Sequence, residues 1–311
     1  MAYSKSSQRD NILVSVVVCT FNRVKYLRIC LEKLANQTAN FSEYEIIVVD
    51  NNSTDGSRLA CESFINTHKE LNVNYFLELK QGHTYSRNRG ITESKGEYLA
   101  FIDDDAFVAI NYIENIKKAF SNFKISALGG KITPRYESGN PPVWMSKYLL
   151  PLVAALDMGE YKKYFKKGKY PIGANMAFRK NIFRDLGFFN IDLGRRGSKG
   201  LEGGDEKDIF IKLHNSGAKV LYDPDVKVTH IIPESRLQLT YIKGLAVGVG
   251  SSERKRLKSS GIYQKTHKIL SELIKIAGTG VLFFSFLFKG KVAAAKMLVV
   301  FRFWVITGYF K

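Results

Sequence analysis

The sequence contains few cysteines and prolines, and the cysteines do not form a recognisable pattern. Of 311 residues, 3 are cysteine and 7 are proline. Cys19, Cys30 and Cys61 lie far apart and show no Cys-x-x-Cys or Cys/His spacing, so neither a disulfide framework nor a zinc site is indicated. This cysteine usage fits a protein of a reducing cytoplasm.

The short motifs of several large enzyme classes are also missing. No G-x-G-x-x-G follows the first apolar run and no G-x-x-x-x-G-K-[ST] occurs, which argues against a nicotinamide oxidoreductase and a P-loop NTPase. A phosphohydrolase box at "DDDAF" would have Phe107 where threonine or valine is expected. The polar residues 1–11 have no apolar core of a signal peptide, so we do not expect export.

Acidic residues are scarce, with 29 Asp and Glu against 47 Lys and Arg, and the formal net charge is +18. Residues 251–311 hold twelve basic and two acidic residues, and so contribute +10 of this charge. The basic residues of this tail lie among apolar ones, not on a separate polar stripe. This arrangement favours an acidic membrane surface over nucleic acid as the partner.

The same tail lacks a long uncharged run. Its longest uncharged stretch, residues 276–288, has 13 residues, fewer than the roughly 20 needed to span a bilayer. We therefore expect two helices lying in the membrane interface, with Trp304 and Tyr309 at headgroup level. A helical hairpin packed on the globular part or on a second copy of the chain is the alternative.

Apolar residues make up 45% of the chain, enough for a large core. Apolar runs alternate with stretches of helical spacing, which predicts an α/β fold with a mostly parallel sheet covered on both faces. We expect a tail at 1–11, a globular domain at 12–235 and a helical region at 236–311. The predicted strands are 12–21, 44–53, 73–79 and 97–105, and the predicted helices are 25–37, 55–70, 84–95, 109–120 and 205–216. Residues 136–200 read mainly as loops, and "KVLYDP" and "VKVTH" read as two short strands.

Three adjacent carboxylates, Asp103 to Asp105, follow a predicted buried strand. Thr20 and Asp50 also lie at strand ends, so all should gather at one edge of the sheet. Adjacent carboxylates in such a place are hard oxygen ligands suited to Mg²⁺ or Mn²⁺. An acidic cap for the next helix would explain one aspartate, but not three.

A second acidic group occurs in "EGGDEKDIF". Asp205 can cap the predicted helix, with Asp208 three residues later. That explanation does not use Glu206, which could serve as a general base because the two preceding glycines permit close approach of a ligand. His230 ends a predicted strand, and a lone histidine is more often structural than a ligand.

Six segments, in this order and spacing, resemble the family 2 glycosyltransferases of the nucleotide-diphosphosugar transferase type. They are "SVVVCTFNR", "EIIVVDNNSTDGS", "YSRNRGITESKGEYLAFIDDD", "IGANMAFRK", "GGDEKDIFIKL" and "VTH", and they cover most of residues 12–232. The resemblance implies the GT-A fold, a doubly wound α/β arrangement with a mostly parallel sheet.

The resemblance also implies roles for individual residues. Asp103 and Asp105 match the outer acids of the family's DXD motif, and His230 matches a histidine near the metal, so these three would hold Mg²⁺ or Mn²⁺. Asp104 would be a spacer within the donor site. The residues implied in nucleotide or donor binding are Thr20, Asn22, Asp50, Asn52, Arg87, Asp103, Asp104 and Asn175.

The sequence departs from the family pattern at the acidic pair that would supply the catalytic base. The family usually carries Glu-Asp before this helix, with the second acid as base, whereas this chain has Asp205-Glu206. Position favours Glu206. The reversal changes the side-chain length, so Asp205 stays a candidate.

By the resemblance, the protein would be an inverting, metal-dependent glycosyltransferase at the inner face of a membrane. A nucleotide-diphosphate sugar, with UDP as the first expectation, would be the donor, and a glycan or lipid-linked hydroxyl the acceptor. The alternative is a nucleotide-sugar-binding scaffold of the same fold. Nucleic acid is not expected, and homo-oligomerisation is left open. Trp144 and Tyr148 could form a sugar platform or pack in a core.

Overall fold

The computed structural model describes residues 12–195, 201, 203–258 and 261–310. These residues form two compact units. The first contains the described residues up to Thr133, Leu156–Ile191 and Asp205–Ile231. The second contains Pro134–Ala155, the described part of Asp192–Gly204, and the chain from Ile232 onward. It thus takes two segments that the sequence analysis placed in a domain at 12–235.

The first unit is built on a mixed sheet whose strand order is β3-β2-β1-β4-β8-β6-β9-β5, with β7 paired to β9. The strands are β1 (Val14–Thr20), β2 (Tyr44–Asp50), β3 (Asn72–Leu77), β4 (Tyr98–Asp103), β5 (Ala106–Val108), β6 (Ala127–Tyr136), β7 (Lys163–Tyr164), β8 (Met176–Arg179) and β9 (Val220–Ile232).

The first four strands of this order are parallel, as predicted from the sequence. In the register, Thr20 pairs with Asp50 and Cys19 pairs with Asp103, so these residues end their strands at one edge. Every residue of β1 and β2 is buried. Burial on both faces explains why these strands are continuous apolar runs and not alternating ones.

The other half of the sheet is antiparallel and was less visible in the sequence. β8, which lies in the stretch predicted as loops, pairs with β4 and β6. The two short strands predicted near residue 225 form one strand, β9, which continues through Pro224. β5 pairs with β9, and Ala106 lies opposite His230.

Helices pack on the sheet through apolar residues at helical spacing. In α1 the buried positions are Leu27, Cys30, Leu31 and Leu34, the periodicity expected for one helix face. The helices of the first unit are α1 (Val24–Ala35), α2 (Ser57–Thr67), α3 (His83–Glu93), α4 (Tyr112–Asn122), α5 (Ile182–Leu186) and α6 (Asp205–Asn215).

An aromatic cluster in the core of the first unit is centred on Phe178 of β8. Phe178 packs against Phe101, Phe183, Phe189 and Phe210, with ring centroids 5.2 to 6.2 Å apart. Such rings contribute edge-to-face and stacked contacts in addition to buried apolar area. This cluster holds β4, β8, α5 and α6 together and so fixes the positions of the residues at their ends.

The second unit is mainly helical, with α7 (Leu239–Leu257), α8 (Ile262–Phe288) and α9 (Val292–Phe310). Helices α7 and α9 approach closely through glycines. A Cβ atom at Gly250 would collide with the backbone of Val305, and one at Gly308 would collide with the backbone of Val247. Trp144 packs against the core of this unit, whereas Tyr148 contacts the Phe286 ring edge-on and is exposed.

Helices α8 and α9 expose many apolar side chains. Two segments, Thr266–Phe288 and Val292–Phe310, are long and apolar enough to cross a membrane by length and composition. The argument that charges leave the tail too short to span a membrane therefore does not hold. The exposed large apolar residues on α8 and α9 are Ile262, Tyr263, Ile269, Leu270, Leu273, Ile274, Ile276, Val281, Phe284, Phe288, Val292, Val299, Val300, Phe303 and Phe310.

Candidate active site

The acidic triplet lies at the carboxyl edge of the parallel strands. Asp103 ends β4, and Asp104 and Asp105 form the turn before β5. The Thr20 hydroxyl donates a hydrogen bond of 2.8 Å to Asp104 Oδ2. Burial raises the pKa of Asp104 to about 6, although Arg23 opposes the shift. Asp104 is thus a buried residue with fixed partners and not merely the spacer that the motif suggested.

Asp103, Asp105 and His230 form a group that could hold a metal ion. Each offers one ligand atom, and these atoms lie within 4.8 Å of one another. The β5–β9 pairing brings His230 beside the turn, where its Nε2 lies 3.1 Å from Asp105 Oδ1. Two carboxylate oxygens and one imidazole nitrogen suit a divalent cation such as Mn²⁺.

Arg23 supplies a positive charge to the triplet and was not singled out from the sequence. Its NH1 atom bonds Asp104 Oδ1 at 3.0 Å and also bonds Asp105 Oδ2. The side chain of Arg23 is 22% exposed, whereas that of Asp105 is fully buried. The two acids raise the pKa of Arg23 against the effect of burial, so its guanidinium stays charged.

The loop that carries Arg23 is attached to the loop after β2. Asn22 has a left-handed backbone with φ of 52°, and its backbone N–H donates to Ser53 Oγ. Its side-chain oxygen accepts a hydrogen bond from the Thr54 N–H, and Asp55 accepts one from the Val24 N–H. These bonds set where the Arg23 side chain leaves the backbone.

A second ion-pair group joins α3 to α6. Arg87, which is 1% exposed, bonds Asp205 Oδ2 at 2.5 Å and Glu206 Oε1 at 3.0 Å through NH1. The side chain of Asp205 is 2% exposed and that of Glu206 is 22% exposed. Of the two candidate bases, Glu206 is therefore the one that a substrate can reach.

The protonation of these two acids differs. Burial raises the pKa of Asp205 to about 7, and the negative charge of Glu206 adds to the shift. Burial also opposes ionisation of Glu206, but Arg87 outweighs it and lowers the pKa of Glu206 to about 2. Glu206 is consequently a carboxylate at neutral pH, as a general base must be.

His83, at the start of α3, links the two acidic groups. Its Nε2 lies 3.7 Å from Asp103 Oδ1, and its charge contributes to lowering the pKa of Glu206. His83 therefore lies beside Asp103 of the metal-binding group and near enough to the candidate base to influence its ionisation. The arrangement places a cation site and a carboxylate base in one region of the first unit.

Comparison with known proteins identifies the family. The profile of glycosyl transferase family 2 matches residues 15–187, more than half of the chain. The chain belongs to this family. It is therefore a glycosyltransferase.

Curated relatives agree with this membership. The chain is 26% identical over 245 residues to a glucosyl-dolichyl phosphate glucuronosyltransferase of Haloferax volcanii, covering 78% of this chain and 76% of the relative. It is 39% identical over 104 residues to glycosyltransferase GlyG of Streptococcus pneumoniae, covering 33% of this chain and 34% of the relative.

Solved structures establish the GT-A fold. The mannosyltransferase PcManGT from Pyrobaculum calidifontis, in complex with GDP-Man and Mn²⁺, superposes with a TM-score of 0.68 at 19% identity. That match covers 96% of this chain and 86% of the other. Staphylococcus aureus TarS 1-349, in complex with UDP, gives a TM-score of 0.55 at 16% identity over 96% and 89% of the two chains.

In this glycosyltransferase the residues predicted to bind the nucleoside lie at the ends of β1 and β2. Asp50 is 1% exposed, and its side chain accepts hydrogen bonds from the Ser53 N–H at 2.9 Å and the Tyr75 hydroxyl at 2.8 Å. Asn52 is exposed and has a left-handed backbone, with φ of 63°. A nucleoside contact by these residues stays a prediction.

Asn175 and Arg87 have surroundings that their predicted roles did not anticipate. Asn175 is buried, and its amide nitrogen donates to the carbonyls of Lys131 and Val226. Its side-chain oxygen accepts from the Tyr112 hydroxyl at 3.0 Å. Both N–H donors are therefore used by the protein. Arg87 contacts the candidate base, and its role in closing the nucleoside pocket stays a prediction.

Sequence analysis missed three residues of this region: Arg23, His83 and Gly173. A Cβ atom at Gly173 would collide with the side chains of Arg87 and Glu206. Gly173 and Arg23 both lie in segments that carry the family resemblance, so a search for the counter-charge of the triplet could have found Arg23. No local pattern marks His83.

Proposed function

We propose that this protein is an inverting, metal-dependent glycosyltransferase that moves a sugar from a nucleotide-diphosphate donor to a hydroxyl of a glycan or lipid-linked acceptor. The observation that carries the proposal is the group of Asp103, Asp105 and His230, whose ligand atoms lie within 4.8 Å of one another, together with the ionised, partly exposed carboxylate of Glu206 in the same unit. A site of this kind can hold a donor diphosphate and deprotonate an acceptor within one region. The ligands named in related structures, the nucleotide sugar GDP-Man and the nucleotide UDP, support a nucleotide-sugar donor.

The cation site fits the chemistry. Asp103 is partly exposed, so the group opens to a ligand, while Asp105 and His230 are buried and held in place. A bound Mn²⁺ or Mg²⁺ would neutralise the diphosphate leaving group. Asp103, Asp105 and His230 would hold it, and Asp104 would keep the turn in shape through its bond to Thr20.

Glu206 would take the proton from the acceptor hydroxyl. Its ionised state is maintained by Arg87, and its exposure admits the acceptor. Asp205 shares Arg87 but is enclosed, so we assign it a positioning role. A single base acting on an acceptor that attacks opposite the leaving group inverts the anomeric centre.

The test combines donor binding with transfer. Nucleotide sugars would be screened by the unfolding temperature of the full chain, with and without Mn²⁺, because a bound donor stabilises the folded state. Transfer to candidate acceptors would then be measured, and the anomer of the product determined by NMR. We expect Asp105→Asn to lose metal-dependent donor binding and transfer, whereas Asp185→Asn, at an exposed carboxylate, should behave as wild type.

The alternative, a nucleotide-sugar-binding scaffold, makes the opposite prediction. It would show metal-dependent stabilisation by a donor without transfer to any acceptor, and Glu206→Gln would change nothing. Retention of the starting anomeric configuration would contradict the inverting mechanism alone. Undiminished transfer after removal of divalent cations with EDTA would contradict the metal requirement.

We also propose that α8 and α9 bind the inner face of an acidic membrane. Their exposed apolar residues, together with Lys289 and Lys291 at the turn between them, support this placement. Dolichyl phosphate in the name of a relative is compatible with a lipid-linked acceptor.

Vesicle flotation of the full chain would test the membrane proposal. We expect binding to vesicles containing phosphatidylglycerol, and weaker binding after the double change Lys289→Gln and Lys291→Gln, by about 1 kcal/mol per residue. Lys33→Gln with Lys69→Gln, at exposed sites of the first unit, is the charge-matched control. Equal binding to neutral phosphatidylcholine vesicles would contradict an acidic surface as the partner.

A further inference from the structure

The acidic triplet carries a counter-charge of its own in this structure. Asp105 directs Oδ1 toward His230 and Oδ2 toward the guanidinium of Arg23. Arg23 also bonds Asp104, so one arginine contacts both buried acids of the triplet and supplies one positive charge to them. Burying an ionised carboxylate is costly unless a positive group or hydrogen-bond donors compensate it, and Arg23 supplies that compensation here.

A divalent cation at Asp103, Asp105 and His230 would share Asp105 with Arg23. Two cations that contact one buried carboxylate repel each other strongly, because little water screens them. The Arg23 side chain can move away from Asp105, because it is 22% exposed and its backbone belongs to a loop before α1. Asp105 cannot move, since it is fully buried.

A donor diphosphate would offer Arg23 a new partner. The guanidinium forms paired hydrogen bonds with phosphate oxygens, and it remains charged. Arg23 would therefore exchange one anion for another. This exchange would link cation binding to nucleotide binding.

We propose that Arg23 is a displaceable counter-cation: it holds Asp105 while no divalent cation is bound, and it passes to the donor diphosphate when cation and donor bind together. The inference rests on the proposed function only in taking Asp103, Asp105 and His230 as the cation site. It assigns Arg23 a positioning role that makes the site selective for the cation and nucleotide together.

The test is Mn²⁺ binding to the full chain without any substrate, measured by the electron paramagnetic resonance signal of free Mn²⁺. Arg23→Gln should bind Mn²⁺ on the order of tenfold more tightly than wild type, because a competing positive charge is gone. Arg28→Gln, an equal change of charge at an exposed position of α1, should stay within about twofold. Arg23→Lys, which keeps the charge, should remain close to wild type.

The second measurement repeats the titration with UDP or GDP as the probe. Wild type should bind Mn²⁺ more tightly when the nucleotide is present, and Arg23→Gln should lose most of this enhancement. Circular dichroism would confirm that the variants are folded.

Three results would overturn the inference. Equal or weaker Mn²⁺ binding by Arg23→Gln would show that Arg23 only supports the fold of the site, and the proposed function would stand. If nucleotide still enhances Mn²⁺ binding fully in Arg23→Gln, the proposed exchange of Arg23 from Asp105 to the diphosphate is contradicted. Absence of Mn²⁺ binding in both proteins, with and without nucleotide, would overturn the inference and the proposed cation site together.

Discussion

Two arginines in the first unit each form ion pairs with two carboxylates, and their surroundings differ. Arg23 lies on a loop, is 22% exposed and binds Asp104 and Asp105. Arg87 lies in the middle of α3, is 1% exposed and binds Asp205 and Glu206. In each pair one acid is fully enclosed, but only in the second pair does the other acid reach solvent.

The comparison shows how the same ion pairing can serve two purposes. Arg87 is enclosed, and its guanidinium also lies over the Phe189 ring, so it holds the position and charge of Glu206. A loop arginine at the surface can change partners, so Arg23 can give way to a ligand. Exposure and backbone setting, not the ion-pair distance, distinguish the two.

The largest expected effect concerns the acid that Arg87 leaves accessible. Glu206→Gln should lower kcat by about 10²- to 10⁴-fold, because it removes the general base while keeping the side-chain shape. Asp205→Asn should cost less than about tenfold if Asp205 only positions the base. Initial transfer rates of both variants would be compared, and a greater loss in Asp205→Asn would reverse the assignment.

Removing the buried arginine should destabilise the fold. Arg87→Met leaves two acids without their partner, and breaking a buried ion pair in this way costs about 3–5 kcal/mol in free energy of unfolding. The control is Arg89→Met, two residues along α3, whose side chain is 42% exposed, pairs with Glu93 and lies over the Phe76 ring. Urea unfolding should show a change under about 1 kcal/mol there. Similar losses in both variants would contradict the special role of Arg87.

A smaller substitution beside Arg87 should also lower the free energy of unfolding. Gly173→Ala places a methyl group against Arg87 and Glu206, and overpacking of this kind costs about 1–3 kcal/mol. Gly278→Ala, within α8 and with open space around it, should leave the unfolding temperature unchanged or raise it. An unaffected Gly173→Ala protein would show that the Arg87 and Glu206 side chains can shift to admit a methyl group.

A further prediction concerns the pH dependence of stability. The raised pKa of Asp205, about 7 against an ordinary 3.8, means that the unfolded state ionises first, so this residue lowers stability as pH rises from about 4 to 7. Asp205→Asn removes the titrating carboxyl group and with it this fall in the free energy of unfolding. The free energy of unfolding of the variant, relative to wild type, should therefore increase between pH 4.5 and 7.

The lowered pKa of Glu206 acts in a separate window. Its contribution to stability is complete above its ordinary pKa of 4.5 and is lost as pH falls toward 2. Urea unfolding at several pH values would separate the two acids. A difference between variant and wild type that stays constant from pH 4.5 to 7 would contradict the raised pKa of Asp205.

The parallel half of the fold could be read from local pattern. β1, β2 and β4 are buried apolar runs, and the helices between them have one apolar face. These features depend on neighbouring residues only. β8 and the continuous β9 could not be predicted in this way, because a four-residue strand and a strand passing through Pro224 gain their stability from partners distant in sequence.

Six short segments in order were enough to indicate the family. The acidic triplet at a strand end and the acidic pair at the start of α6 could also be found without a structure, because each is a short run of residues with a fixed local setting. The ion pairs between these distant segments became visible only in the folded chain. The tertiary structure brought His230 to Asp105 across 125 residues and Arg87 to Glu206 across 119. It also showed that Arg23 compensates the triplet, since strand register and loop contacts, not sequence spacing, place a counter-charge beside a buried acid.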